Sequence, residues 1–261
     1  MAGPRTLVVD IETAPILARV WRTFKENVGL NQIEHDWYIL SYSAKWLGEK
    51  KVFYQDQSKA ADIEDDRALL TGLYGFLDEA DIVVAHNGRR FDVPKINARL
   101  ITLGFKPPSP YKVHDTLDIA KKNFKFTSNR LEFLTSTLCT EKKMLHGKFP
   151  GFELWKQCMQ GNQAAWREMK KYNIQDVKSL EELYLKLRAW DPRGPVAGVY
   201  DDLDIPACSK CGSHHVHRRG TYRTQVGEYQ RYQCLDCGGW SRGGSLINSR
   251  AKRATILRNA G

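Results

Sequence analysis

Nowhere in the 261 residues does an apolar run approach the ~18 needed to span a bilayer, so no membrane segment is expected. The opening Met-Ala-Gly-Pro-Arg-Thr lacks the apolar stretch of a secretory leader. An intracellular, cytoplasmic protein is expected (nucleoid-associated, or in the host cytoplasm if the source is viral). Internal repeats and low-complexity tracts are also missing. Acids are scarce in one region: residues 206–261 hold only Glu228 and Asp236 against ten Lys/Arg, so this segment carries +8 of the formal +10. The other 30 basic and 28 acidic residues nearly cancel. A basic tail suits a polyanion, most commonly nucleic acid; a run that only solubilises is the plainer alternative.

Cysteine is sparse, and its placement argues against disulfides. Cys139 and Cys158 stand alone in apolar surroundings and read as ordinary thiols. The other four form Cys208-Ser-Lys-Cys211-Gly212 and Cys234-Leu-Asp-Cys237-Gly238, two CxxCG pairs separated by 22 residues. In a reducing compartment such pairs are a metal site. Four thiolates complete a tetrahedral Zn²⁺ shell, which makes the site structural rather than catalytic. The alternative of His214, His215 or His217 as a ligand is not needed. Tyr222, Tyr229, Tyr232 and Trp240 alternate with Arg218, Arg219, Arg223, Arg231 and Arg242. Basic groups track phosphates and aromatics stack bases, although at least half of these rings are expected to serve the module's own small core. Arg250–Arg258 reads as a basic end that orders on binding.

The longer N-terminal part reads as alternating elements. Strands are expected over Arg5–Ile11, Tyr38–Trp46, Val52–Tyr54, Ile82–Ala85 and about Val113–Thr116. An amphipathic helix is expected over Asp62–Glu79, with acids in its first turns, and another from Pro94 through Leu103, closed by Gly104. Ser128 or Asn129 with Glu132 resembles a capping signal for a helix holding Leu131, Leu134 and Leu138. A long helix runs from about Ala164 to Trp190. The expected architecture is α/β, a mixed sheet flanked by helices over 1–190, a linker over 191–205, and a small β-hairpin module over 206–261.

Three segments carry acids in positions where a lone acid is a poor choice. Asp10 and Glu12 in Val8-Val9-Asp10-Ile11-Glu12-Thr13 are two apart on a strand and leave one face. Asp92 sits in His86-Asn87-Gly88-Arg89-Arg90-Phe91-Asp92-Val93-Pro94. A helix-capping role competes for it, but if Pro94 is the first helical residue the cap falls on Val93. Asn87 serves a substrate or only its loop, and Phe91 reads more as a core anchor than a stacking residue. Asp176 interrupts the apolar stripe Met169, Tyr172, Leu180, Leu183 and Leu187, so it falls on the buried face, where acids are rare without a partner. Tyr172 shares that face. A structural Tyr–Asp pair is the competing account.

Four acids with no cation matched to them can hold two Mg²⁺ or Mn²⁺ roughly 3.5–4 Å apart, the spacing that serves phosphoryl displacement. Tyr172, with a phenol pKa near ~10, is expected to orient the attacking water rather than to act as a base. Together these segments resemble the DEDD exonuclease family over roughly residues 5–190. Asp10 and Glu12 match its first motif, Asn87…Phe91-Asp92 its second and Tyr172-x-x-x-Asp176 its third. The tyrosine places the chain with the tyrosine subgroup; the histidine subgroup needs His where Lys171 stands.

The resemblance implies a ribonuclease-H-like fold and removal of nucleoside 5′-monophosphates from a 3′ end. Asp10, Glu12, Asp92 and Asp176 would be metal ligands, and Thr13, Asn87 and Phe91 substrate contacts. DNA is favoured over RNA, and single strands over duplexes. With no room for a polymerase domain, the chain would act alone or beside a separate polymerase or replication and repair protein. The cysteine module looks like a zinc ribbon. A structure-specific endonuclease and a non-catalytic docking module are the alternatives.

Overall fold

The computed structural model describes residues 3–144 and 147–259. The chain opens with β1 (Thr6–Thr13), a short pair β2 (Leu17–Ala18) and β3 (Ile33–His35), then β4 (Ile39–Trp46) and β5 (Phe53–Asp56). Next come α1 (Arg67–Glu79), β6 (Ile82–Ala85), α2 (Asp92–Thr102), β7 (Lys112–Asp115), α3 (Thr116–Asn123), α4 (Leu131–Leu138), α5 (Glu153–Met159) and α6 (Gln163–Leu187). After α6, single 3₁₀ turns cover Arg188–Trp190 and Ala197–Tyr200. Last are β8 (Val216–Arg223), β9 (Glu228–Cys234), β10 (Trp240–Leu246) and α7 (Arg250–Ala254). No described helix is long and apolar enough to cross a membrane.

Two compact units result. One comprises Arg5–Asp118 with Phe126–Leu183; the other gathers Ile119–Lys125 with the chain from Tyr184 onward. The first is built on a mixed five-stranded sheet of order β5-β4-β1-β6-β7. β1 is antiparallel to β4 and parallel to β6. Leu7, Val9 and Ile11 of β1 enter a core with Leu69, Leu70, Leu73 and Leu77 of α1 and Ile96 and Leu100 of α2. Fully burying each such Leu stabilises by about 1.5–3 kcal/mol. Strand alternation then turns Asp10 and Glu12 to the opposite face. A second core forms there from Tyr38 and Leu40 with Leu154, Trp166, Met169 and Tyr172 of α5 and α6.

Several boundaries differ from expectation. Helix α1 starts at Arg67, because the acids before it close local turns: Asp62 accepts from the Glu64 amide and Asp65 from the Arg67 amide. Helix α4 has no capping box. Ser128 Oγ accepts the Arg130 amide at 3.3 Å, and Arg130 sits at the cap without a side-chain bond. The long helix reverts to 3₁₀ at Arg188.

In the second unit, β8, β9 and β10 form an antiparallel sheet of order β10-β9-β8. Residues 191–205 are folded against this sheet's knuckle: the Ala197 amide donates to Ser209 O at 3.0 Å, and Lys210 Nζ donates to Asp191 O. The basic end is not wholly irregular. Ser249 Oγ caps α7 by accepting the Lys252 amide.

Candidate active site

Pairing between β1 and β6 stops at Val8, so the C-terminal half of β1 has no strand on that side. The loop after β6 fills part of the space. Asn87 has φ +69°, and at Gly88 a Cβ would lie 2.3 Å from that of Ala85, so only glycine fits. Buried Asp115, at the end of β7, fixes this loop by accepting the Asn87 and Arg89 amides at 2.9 and 3.0 Å. The turn delivers Asp92 as the first residue of α2, inside the helix rather than before it. Its carboxylate accepts its own amide at the start of α2 and reaches across to the Ile11 amide of β1 at 3.2 Å. The expectation of a helix opening at Pro94 fails because the Asn87–Gly88 turn already starts the winding: the Phe91 and Val93 amides bond back to Asn87 O and Gly88 O.

Asp10 and Glu12 from β1 and Asp176 from α6 each place an oxygen within 4.8 Å of the other two. Oxygen ligands on opposite sides of a Mg²⁺-sized ion lie about 4 Å apart, so the trio suits a hard cation in both chemistry and spacing. Asp92 lies outside this trio, yet its charge reaches Asp10. Burial raises all three carboxyls whose shifts are resolved. Asp10 is raised well above the usual range by burial and then by Glu12, Asp176 and Asp92. Glu12 is pushed to about 8 by burial and then Asp176, and Asp92 to about 7 by burial. A site that must hold several anions in a dry setting is charge-deficient without a cation.

Three partners were not evident from sequence. Asn173 Nδ2 donates to Asp10 Oδ2 at 2.6 Å and its own oxygen accepts from Ser41 Oγ, which aims Asp10. Trp155 Nε1 donates to Glu12 Oε2 at 3.0 Å. Lys143, from the irregular segment between α4 and α5, places Nζ 2.6 Å from Asp176 Oδ2 and 4.6 Å from the Tyr172 ring centre. The expectation that the acids have no matching cation is thus corrected: one ammonium pairs with Asp176 and also acts on Asp10 and Glu12. Burial opposes the charge on Lys143, but the combined attraction of its neighbours, Asp176 foremost, outweighs it and the pKa rises. Asn173, three residues before Asp176, shares its helical face and was the one partner with a detectable signal.

Tyr172 is buried and meets Trp155 edge-on at 5.9 Å. Burial and then the charges of Asp176 and Glu12 push its phenol upward, so it stays protonated. Thr13 follows Glu12 at the end of β1. Phe91 is 38 % exposed, not the core anchor expected, because it stands at the N-terminal boundary of α2.

In the second unit, the Sγ atoms of Cys208, Cys211, Cys234 and Cys237 all lie within 4.8 Å of one another. Cys208 and Cys237 are 3.6 Å apart, and Cys211 and Cys234 3.7 Å. Four sulfurs ~2.3 Å from one Zn²⁺ would be about 3.8 Å apart, so the donor set and its spacing fit. The Lys210 and Gly239 amides point at Cys208 and Cys237 sulfurs, and Gly212 and Gly238 take the positive φ that closes each knuckle. His214 is engaged by Asp201 and His215 by Asp236, away from the sulfurs. None of the four interleaved aromatics is buried; Arg231 lies 4.7 Å over Trp240 and Arg242 4.2 Å over Tyr229.

The family described as the RNase_H superfamily (RNase_H_2) matches residues 25–188, well over half of the chain. The protein belongs to the RNase H superfamily. Nucleases of this superfamily generally use divalent metal ions. Among solved structures, the family B DNA polymerase of the hyperthermophilic archaeon Pyrobaculum calidifontis is similar, with a TM-score of 0.50 and 16 % identity. The likeness covers 72 % of this chain and 26 % of the polymerase, so this RNase H superfamily chain spans about a quarter of that protein, and the likeness speaks for the fold. No curated protein matches the chain.

Proposed function

We propose that the chain is a two-metal-ion 3′–5′ exonuclease of the DEDD type, tyrosine subgroup, acting on single-stranded DNA to release nucleoside 5′-monophosphates. The observation that carries this reading is the meeting of Asp10, Glu12 and Asp176, from segments up to 166 positions apart, in one cluster in which Asp176 is buried and the other two partly so. Asp10, Glu12, Asp92 and Asp176 would hold Mg²⁺ or Mn²⁺. When bound, the cations supply a water nucleophile at neutral pH and stabilise charge on the departing oxygen.

The chain's own residues do the positioning. Asn173 and Trp155 fix Asp10 and Glu12 by donated hydrogen bonds. Tyr172, protonated at neutral pH, donates its phenol proton toward the attacking water and does not remove one. Lys143 shares the negative charge of Asp176 and stands ready to meet the phosphate that enters the site. Thr13, Asn87 and Phe91 contact the strand. Residues 206–261 form a zinc ribbon whose four cysteines hold one structural Zn²⁺ and whose arginine-backed rings bind nucleic acid as a separate module. The 3′–5′ polarity rests on the motif resemblance alone; the preference for DNA takes further support from the fold's similarity to a DNA polymerase.

The test is digestion of end-labelled single- and double-stranded DNA and RNA with Mg²⁺, Mn²⁺ or EDTA, alongside a closed circular single strand. Stepwise shortening from the 3′ end, abolished by EDTA, is expected. Cleavage of the circle would overturn the exonuclease reading in favour of an endonuclease.

A further inference from the structure

Beside the acids lies a cleft of about 530 Å³ lined by Thr13, Ile16, Trp37, Lys95, Phe152 and Trp155, among others. Two of its walls belong to the carboxylate cluster itself: Thr13 follows Glu12, and Trp155 donates to Glu12 while meeting Tyr172 edge-on. A third comes from α2, where Lys95 is one helical turn beyond Asp92. Trp37, Lys95 and Phe152 belong to none of the acid-bearing motifs.

Lys95 is unusual in its surroundings. Its Nζ lies 3.7 Å from the Trp37 ring centre and 5.4 Å from that of Phe91, and among the described residues it forms no ion pair. Burial draws its pKa downward, and the charge of Asp36 pulls the other way. The floor under it is braced. Arg99 stacks 6.0 Å from Trp37, and its guanidinium is clamped by fully buried Asp66 through bonds of 2.8 and 2.7 Å. Asp66 also accepts the Ile39 amide, tying the brace to β4. Ile16 and Phe152 add exposed apolar surface.

The chemistry of this cleft selects its ligand. An apolar peptide would leave the ammonium desolvated and without an anion. A bare phosphate would leave the rings and Ile16 in water. A nucleotide satisfies both, because it joins an anion to a flat apolar base. We propose that the Trp37–Lys95 cleft is a nucleotide subsite that holds the substrate strand beside the carboxylate cluster, Lys95 taking a backbone phosphate and Trp37 with Phe152 taking the attached base. The inference rests on the exonuclease reading and adds residues that its motifs do not contain. It makes an unpaired, splayed end the substrate, since a base inside a duplex cannot enter the cleft.

The experiment measures binding of a 5′-labelled oligothymidylate by anisotropy in Ca²⁺, across a salt series, with hydrolysis kinetics in Mg²⁺ alongside. Lys95→Gln should weaken binding about tenfold and flatten the salt dependence by about 0.7 in log–log slope, the loss of one single-strand phosphate contact. The kinetic loss should fall on KM more than on kcat, and Lys95→Arg should restore most of the affinity. Trp37→Ala should weaken binding about tenfold with the salt slope intact, and Trp37→Phe should recover part of it. Wild-type affinity and slope in Lys95→Gln, with the wild-type chain binding and cutting the strand, would overturn the subsite and leave the nuclease reading standing. A wild-type chain that neither binds nor cuts any strand would overturn both.

Discussion

Asp10, Glu12 and Asp176 are carried by β1 and α6, elements whose apolar faces are buried in two cores that owe nothing to the acids. Cys208, Cys211, Cys234 and Cys237 are carried by knuckles and strands with almost no core: along β8, β9 and β10 the one buried residue is Cys234. The first region can therefore tolerate a charged, strained site, because burial elsewhere stabilises it. The knuckle-bearing strands bury almost no apolar surface of their own, so on the proposed reading a metal there would be part of their fold. Hard oxygen donors leave room for substrate and water, whereas four thiolates close the shell. On the proposed reading, the contrast is between a cation that would enable chemistry and one that would enable structure.

The largest effect should come from the acids. Asp10→Ala or Asp176→Ala should lower turnover by at least about a thousandfold. In metal-free buffer Asp10→Ala should leave the melting temperature level or raise it, since a buried like charge is removed, whereas Asp176→Ala should lower it, since Lys143 loses its partner. Full turnover in either variant would sink the assignment. Next, Cys234→Ser or Cys211→Ser should abolish zinc stoichiometry and erase amide protection in β8, β9 and β10, leaving protection in β1 and β4 unchanged. Equal loss of protection in both regions would show that the contrast between them is wrong.

A third break is pH. The Glu12 carboxyl has an ordinary value of about 4.5 and is held at about 8 in the folded chain. Between those limits the unfolded chain has released a proton that the folded chain retains, so rising pH favours unfolding. Without added Mg²⁺ or Mn²⁺, the melting temperature should fall as pH rises from about 4.5 to about 8, and adding Mg²⁺ at the upper end should restore it. Glu12→Gln should flatten that dependence; an unchanged slope in the variant would place its cause elsewhere. Smallest is Tyr172→Phe, expected to reduce kcat by about ten- to a hundredfold. A complete loss would mean that the phenol does more than orient water.

How much was legible beforehand follows from the kind of signal each residue leaves. Asp10 and Glu12 are two apart on a strand, and Tyr172 and Asp176 four apart on a helix, so local periodicity alone puts each pair on one face. Asp92 was legible as an acid near a helix start but not as an acceptor for the Ile11 amide, which sits 81 positions away in sequence. Lys143 lies in an irregular segment where no period exists to mark a face, and Trp155 in a helix of only seven residues, too short for a clear one. Trp37, Lys95 and Arg99 carry no local signal in the sequence; their setting depends on β4 and α2 sharing the buried carboxylate of Asp66.

Local order along the chain decided which residues would be paired on a face, which cysteines would make knuckles, and where positive charge would accumulate. Those properties depend on neighbours within one turn or one strand. Only the packed fold decided that a lysine would answer Asp176, that an asparagine and an indole would aim the acids, and that a braced tryptophan would floor a cleft beside them. Such contacts join positions that are remote in sequence, and their strength comes from excluding water, which no short segment can do by itself.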